Sequence, residues 1–249
     1  MPARFLPALA VLTALLSAAA AIAAPAQKAG ALRILTSDLP PLAVERDPAQ
    51  PGALVEIIAE LTRRTGIAAT NEFVPWQRAL FVVGHLPRTA LYPLTRTPER
   101  ERHFRWLAPL YREQFVFIAE AGGVDLTDLA ALRGRRIALL RGSTQWDNLQ
   151  RLGYTGLIPT VSVQEGLRFV HEGMADAIYG DQAIVGHTAR TLFPDKQWQA
   201  SAAIVSTTTW LGGSLDLGAD DAARFNRALA AMQADGSYAR ILRRYGLPR

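Results

Sequence analysis

Two short polar segments and one isolated carboxylate carry the groups that could do chemistry in this chain. The first segment covers residues 95–100 and contains two threonines and two arginines; the second is Gly142-Ser143-Thr144-Gln145, and Asp181 follows further on. An arginine offers paired N–H donors that match a carboxylate, hydroxyl groups add donors, and an aspartate accepts from an ammonium group. The set therefore indicates binding of a small molecule that carries both a carboxylate and an ammonium group.

Each of these polar sites comes directly after a short apolar segment that is typical of a β-strand. The predicted strands cover residues 89–94, 137–140 and 177–179. Open α/β sheets bind their ligands at the carboxyl ends of the strands, where the chain turns toward the next helix. We therefore expect an α/β fold in which the polar sites lie at strand ends.

Helix signals follow two of these strands. Thr97 and Pro98 are typical of a helix cap and a first helical position, which predicts a helix with Arg100 in its first turn. Gly142-Ser143-Thr144 likewise leads from a strand into a helix. The exposed amides of a helix N-terminus attract anions, so both places suit a carboxylate.

The rest of the pattern predicts further alternation of strands and helices. Leu54, Ile57, Ile58 and Leu61 form the apolar face of a helix that ends at Gly66. The other predicted elements are strands at residues 32–34, 71–74 and 115–119, helices at 76–83 and after a Ser162/Glu165 cap, and a helical tail at 220–246 divided at Asp235-Gly236. This order favours two α/β lobes.

The first 26 residues have the layout of a secretory signal peptide. Arg4 precedes an apolar run at residues 5–16, and an alanine-rich stretch follows. The run is shorter than the roughly 20 apolar residues of a membrane-spanning helix. We predict a signal peptide at residues 1–23, with cleavage after Ala23 or, as the alternative, after Ala26. Because the chain contains no cysteine, we expect no lipid anchor and a periplasmic location.

The composition argues against nucleic-acid, metal and cofactor chemistry. The formal charge is +5, but no basic run is interleaved with aromatic residues, so a solvated face is favoured over a polyanion site. The four histidines are isolated and there is no cysteine, so we predict no metal site and no cofactor. The sequence also lacks a Gly-x-Ser-x-Gly elbow and a phosphate-binding loop, and no catalytic residues are predicted.

In its segments and their order, the chain resembles the bacterial periplasmic solute-binding proteins of polar amino acid ABC uptake systems, the extracellular solute-binding protein family 3. The resemblance covers about residues 32–245. In that family a hydroxyl residue at a strand end is followed five positions later by an arginine, as Thr95 and Arg100 stand here. The resemblance implies that Arg100 pairs with the ligand α-carboxylate, that Ser143 and Thr144 add donors to it, and that Asp181 holds the α-ammonium.

The resemblance also implies an architecture and a mode of action. The fold would be the type 2 periplasmic binding fold, in which two lobes, each a mixed sheet flanked by helices, are joined by a two-strand hinge, here near Phe117 and Val205. Lobe one would cover residues 27–119 and 207–249, and lobe two residues 120–206. The protein would be a monomer and not an enzyme, would close around an amino acid or related small carboxylate, and would deliver it to a membrane ABC permease.

Several residues have more than one interpretation. Trp76 could cover an apolar part of the ligand or belong to the core, and Gln145 could reach the ligand or only solvent. Arg96 and Arg141, where relatives commonly carry uncharged residues, could point into the cleft and favour an acidic ligand, or could face away from it. Asp181 could instead be a capping residue.

Two other functions stay open at this point. A periplasmic lyase on the same fold, such as a dehydratase, would need a general acid, for which His103 and Glu99 are the candidates. A sensor subunit would present its ligand to a membrane receptor. The sequence does not separate transport from sensing.

Overall fold

Strands and helices alternate along the chain. The structure, a computed structural model, describes residues 30–248. In chain order the elements are β1 (Leu32–Thr36), α1 (Ala53–Thr65), β2 (Ala69–Phe73), α2 (Trp76–His85), β3 (Thr89–Thr95), β4 (Arg105–Glu120), β5 (Ile137–Leu140), α3 (Gln145–Arg151), β6 (Leu157–Thr160), α4 (Val163–His171), β7 (Ala177–Asp181), α5 (Gln182–Leu192), β8 (Trp198–Ala200), β9 (Val205–Gly213), α6 (Ala219–Ala234) and α7 (Ser237–Arg244). The predicted signal peptide and both cleavage sites lie outside the described residues.

The strands of the described chain form one mixed sheet in the order β2-β1-β3-β9-β4-β7-β5-β6, with β8 paired to β4 beside this path. β1 is parallel to β2 and β3, and β5 is parallel to β6 and β7. The central pairs, β3 with β9, β9 with β4 and β4 with β7, are antiparallel. We call the half that contains β1, β2 and β3 lobe one and the half that contains β5, β6 and β7 lobe two.

Two long strands connect the lobes. β4 pairs first with β9 and then, from Phe115 to Ile118, with β7 of lobe two. The ring of Phe117 packs against Tyr154 and Tyr179, with centroids 5.2 and 4.8 Å apart, and so fastens the end of β4 to lobe two. The predicted α/β fold with a mixed sheet is confirmed, and the residue boundaries proposed for the two lobes stay a prediction.

Local signals in the sequence account for several of the helix ends. α1 ends at Gly66, whose φ of 67° lies in the left-handed region that glycine adopts without a Cβ clash. α4 begins where the Ser162 hydroxyl oxygen accepts from the Glu165 amide at 3.0 Å. The C-terminal helices α6 and α7 are divided at Asp235-Gly236, as predicted. Within residues 30–248, no helix has both the length and the apolar character needed to cross a membrane.

The prediction of a helix beginning at Thr97 and Pro98 is wrong. Residues 98–103 form a series of turns, and the Arg100 amide donates to the Thr97 carbonyl at 3.1 Å and to its hydroxyl at 3.4 Å. The chain must enter β4 at residue 105, and the buried Phe104 anchors it just before that point. A helix this short gains too few hydrogen bonds to offset the cost of nucleation.

Candidate functional site

A cavity between the two lobes contains most of the residues predicted for the site. Its empty space measures about 600 Å³ when the solvent in its open mouth is included. Seven of the nine predicted site residues line it: Trp76, Thr95, Arg100, Ser143, Thr144, Gln145 and Asp181. The rest of its wall is largely apolar, with contributions from Leu39, Pro93, Leu140, Val163, Ile178, Ile184 and Val185. The cavity is therefore built by both lobes around a few polar groups.

Arg100 supplies the single positive charge among the described residues that line the cavity. Its Nη1 donates to the Thr95 carbonyl at 3.2 Å, and its Nη2 donates to the Gly142 carbonyl of lobe two at 3.1 Å. Of its five N–H groups, three have no acceptor within residues 30–248 and can serve a ligand. Burial lowers the pKa of Arg100 to about 10, which leaves it charged at neutral pH.

Trp76 makes a second hydrogen bond between the lobes, beside the one from Arg100. Its Nε1 donates at 3.3 Å to the same Gly142 carbonyl that accepts from Arg100. The side chain is 6% exposed, so Trp76 is both a core residue and part of the cavity wall. One backbone oxygen of lobe two thus receives two donors from lobe one, which is a contact that exists only when the lobes are together.

The second polar segment places three side chains at the cavity, and they differ in how free they are. Ser143 donates its hydroxyl to the Leu140 carbonyl at 2.6 Å, which leaves its oxygen available as an acceptor. Thr144 precedes α3 and makes no side-chain capping bond. Gln145 has a buried Oε1 with no partner among the described residues. A buried acceptor without a donor is costly, so a ligand donor at this position would stabilise the site.

Asp181 is a capping residue and a cavity residue at once. Its Oδ1 accepts from the amides of Ala183 and Ile184 at 3.0 and 3.1 Å at the start of α5, and its Oδ2 accepts from the Gln114 amide at 3.1 Å. Burial raises its pKa to about 6, although these three amides oppose the rise. One lone pair of Oδ2 is left for a further donor. The two interpretations of Asp181 therefore do not exclude each other.

Glu113 lines the cavity but was not predicted from the sequence as a site residue. It lies on β4, is 6% exposed, and accepts from the Thr95 hydroxyl at 2.7 Å through Oε1. Burial raises its pKa to about 8, and the nearby Asp181 raises it further, while the Thr95 hydroxyl and Arg100 oppose the shift. A sequence signal existed: Glu113 is in phase with Tyr111 and Phe115 on a period of two, so it belongs to the inward face of the strand.

Comparison with known proteins yields several relatives, although no family model matches the chain. It is 28% identical over 151 residues to ABC transporter arginine-binding protein 1 of Escherichia coli (strain K12), across 58% of this chain and 60% of that protein. It is 25% identical over 227 residues to membrane-bound lytic murein transglycosylase F of Ectopseudomonas mendocina (strain ymp), across 87% of this chain and 46% of that protein. The chain thus spans less than two thirds of either curated relative.

Solved structures share the fold. An ancestral arginine-binding protein bound to glutamine superposes with a TM-score of 0.77 at 17% identity, covering 87% of this chain and 98% of that one. The arginine-, lysine-, histidine-binding protein ArtJ of Geobacillus stearothermophilus gives 0.78 at 16% identity, covering 88% and 97%. A histidine kinase sensor domain with similarity to periplasmic binding proteins gives 0.79 at 19%, covering 88% and 98%. The resemblance to family 3 solute-binding proteins is confirmed. The chain has their two-lobed fold.

Two arginines that were candidates for the site lie away from the cavity. Arg96 pairs with Glu101, with Nε and Oε2 2.8 Å apart, and its guanidinium lies over the rings of Trp210 and Trp106 at 4.8 and 5.3 Å from their centroids. Arg141 is exposed and does not line the cavity. The structure therefore removes the observation that would have favoured an acidic ligand.

The acids considered for a lyase also lie outside the cavity. His103 and Glu99 are exposed and neither belongs to the wall. Within residues 30–248 there is no group of three or more histidine, aspartate or glutamate side chains placed to hold a metal ion.

A second cavity adjoins the first on the outer side of the cleft. The two share Leu39, Trp76, Leu140 and Val163 as a common wall. Asp38 and Glu45 belong to the outer cavity, and the described residues that line it include no arginine or lysine. The Gln164 amide of lobe two donates to Asp38 of lobe one at 3.2 Å, which adds another contact between the lobes. The outer cleft is therefore negatively charged.

Proposed function

We propose that this protein captures an amino acid in the interlobe cavity and delivers it to a membrane ABC permease. The observation that supports this function is the cavity itself, in which Arg100 of lobe one faces Ser143, Thr144 and Asp181 of lobe two. These groups match the two charges that every amino acid carries at its α-carbon. The similarity to an arginine-binding protein of an ABC transporter and to other amino-acid-binding proteins points to the same class of ligand.

In this proposal the α-carboxylate lies against the free N–H groups of Arg100. The guanidinium presents them in a fixed plane, and a charge-assisted bond of this kind contributes roughly 1.5 to 3 kcal/mol. Thr144 adds a hydroxyl donor, Ser143 offers its hydroxyl oxygen as an acceptor, and Asp181 accepts from the α-ammonium through its remaining lone pair. Trp76 covers the apolar part of the ligand, and Thr95 keeps its hydrogen bond to Glu113.

Closure of the lobes would couple ligand capture to delivery. Trp76 and Arg100 of lobe one both donate to the Gly142 carbonyl of lobe two, so separation of the lobes breaks both bonds. A carboxylate bound at Arg100 also accepts from the Thr144 hydroxyl of lobe two, and this differential affinity favours the closed state. The hinge would lie in β4 and β9, with lobe one at residues 27–119 and 207–249 and lobe two at 120–206.

The same proposal includes the location of the protein, its oligomeric state and its partner. The protein would be a periplasmic monomer, exported by the signal peptide at residues 1–23, that presents its closed form to the permease. A sensor role is a second candidate because a histidine kinase sensor domain shares the fold. A lyase that uses His103 or Glu99 as its general acid receives less support, since both lie outside the cavity. Binding without turnover is the behaviour we expect.

The decisive test replaces Arg100 with alanine. A thermal-shift screen of the amino acids first identifies a ligand for the unaltered protein, since binding to the native state raises the melting temperature. In calorimetry, Arg100→Ala is expected to weaken that ligand by about 100-fold or more, because its carboxylate loses a paired charged donor. Arg141→Ala, an exposed arginine beside the second segment, is the matched control and should bind normally. Unchanged affinity in Arg100→Ala would rule out this site.

A further inference from the structure

The interlobe cavity contains more carboxyl groups than its proposed amino acid would need. Glu113 and Asp181 are 6% and 4% exposed, and Arg100 is the single cation among the described residues of the wall. Asp181 is already matched to the α-ammonium in the proposed function. Glu113 has one hydrogen bond, from the Thr95 hydroxyl to Oε1, and no described residue donates to its Oε2. One buried carboxyl group therefore has no assigned role.

The groups around Glu113 do not offset the cost of ionising its buried carboxyl group. The groups that face it are the Thr95 hydroxyl from β3, Arg100 from the following turns, Tyr111 from β4 itself and Asp181 from the end of β7. Arg100 is its one cationic neighbour, and two carbonyls and, in the proposed complex, the ligand carboxylate occupy that guanidinium. In the empty site at pH 7, Glu113 is therefore held mainly in its protonated form, in agreement with a pKa raised to about 8.

We propose that Glu113 is a specificity-determining ligand contact, which selects amino acids with a second positive group and releases its proton to solvent when they bind. The inference rests on the proposed amino acid site and names its ligand class. A dicationic amino acid brings one carboxylate for Arg100 and two cations for Asp181 and Glu113. A neutral amino acid brings one cation and leaves the proton on Glu113.

The charge of the cavity wall, and not the similarity to relatives, supports the choice of a dicationic amino acid as ligand. The ancestral arginine-binding protein has been solved with arginine and with glutamine, so its fold accepts both a charged and a neutral side chain. In the present chain the adjoining outer cavity adds the carboxylates of Asp38 and Glu45 and, in its described wall, no cation. A positively charged side chain gains from this field wherever it leaves the inner cavity, whereas an acidic one is repelled.

Isothermal titration calorimetry in buffers of different ionisation enthalpy tests the proposal, because it counts the protons released per ligand. The probes are L-arginine, L-lysine and L-glutamine at pH 7. The unaltered protein is expected to release close to one proton with arginine or lysine and close to none with glutamine. In Glu113→Gln the release should vanish, and affinity for arginine and lysine should fall about 10- to 100-fold, while glutamine changes less than about 3-fold. Glu101→Gln, on the outer face, is the matched control.

A measurement on the unaltered protein keeps the test independent of the variant's folding. Between pH 6.5 and 8 the affinity for arginine should rise by up to about tenfold per pH unit relative to that for glutamine. Equal pH dependence for the two ligands, or an unchanged proton count in Glu113→Gln, would overturn the role of Glu113 while leaving the site intact. If the unaltered protein binds none of the amino acids, the proposed function itself fails.

Discussion

Two groups of carboxylates in this molecule have opposite electrostatic settings. On the outer face between α1 and α7, Glu60 lies 2.7 Å from Arg63 and 2.6 Å from Arg64, and Asp235 lies 2.7 Å from Arg64. The hydrogen bond from Arg63 is the main cause that lowers the pKa of Glu60 to about 2. In the interlobe cavity, burial raises the pKa of Glu113 to about 8 and that of Asp181 to about 6.

The difference shows how the same side-chain type serves structure in one place and binding in another. The outer carboxylates have partners within the chain and retain contact with water, so their charge needs nothing further. The cavity carboxyl groups lie among apolar side chains, and the donors that they have, three amides at Asp181 and the Thr95 hydroxyl at Glu113, do not offset the cost of burial. Perturbed carboxyl groups in a cleft are typical of functional sites. A ligand cation would supply in the cavity what Arg63 and Arg64 supply outside.

The comparison predicts its largest effect for Glu113, which should make the free energy of unfolding depend on pH. An unfolded glutamate has a pKa near 4.5, and the folded value is about 8. Between these values the unfolded state releases the proton and the folded state keeps it, so the free energy of unfolding falls as the pH rises. The glutamine of Glu113→Gln cannot titrate. Between pH 6 and pH 8 the free energy of unfolding of this variant should therefore rise by roughly 2 to 3 kcal/mol relative to that of the unaltered, ligand-free protein.

Urea unfolding at pH 6 and pH 8 measures this gain. The window lies above the pKa of about 6 for Asp181, which remains in both proteins and contributes mainly below it. Parallel pH profiles for the two proteins would show that Glu113 is ionised in the empty cavity, and the contrast with Glu60 would then disappear.

A smaller and opposite effect is expected at Glu60. Because its folded pKa is lowered, its contribution to stability is present above pH 4.5 and is lost as the pH falls toward 2. Glu60 retains contact with water and Arg63 is 69% exposed, so Glu60→Gln should cost less than about 1 kcal/mol at pH 7, and added salt should reduce that cost. Chemical denaturation at pH 7 and pH 3 tests this, and a loss of several kcal/mol that salt does not change would contradict it.

The smallest effect on ligand affinity is expected for Arg96. The guanidinium lies over Trp210 and pairs with Glu101 outside the cavity, so Arg96→Ala should lose about 0.5 to 1 kcal/mol of stability. Ligand affinity should change less than about twofold, since Arg96 and the cavity share no contact. Calorimetry on this variant beside Arg100→Ala compares two arginines of one segment, and a large loss of affinity in Arg96→Ala would place its side chain in the site.

Local sequence patterns predicted much of the fold and of the site. The strand ends that carry Thr95, Ser143 and Asp181 were found because apolar runs and the polar residues after them are features of neighbouring positions. The division at Asp235-Gly236 was found for the same reason. The helix at Thr97 and Pro98 failed because a capping signal cannot by itself produce a helix where the next strand begins a few residues later.

The sequence by itself determined which residues stand at the strand ends, because strand and helix periodicity and caps are properties of adjacent residues. Only the tertiary structure decided what those residues face. Arg96 and Arg100 differ little in sequence context, yet one lies against tryptophans and the other joins the lobes at Gly142. Glu113 is a buried cavity group because Thr95 of β3, Arg100 and Asp181 at the end of β7 surround it, and the cost of burying a carboxyl group depends on every element that surrounds it.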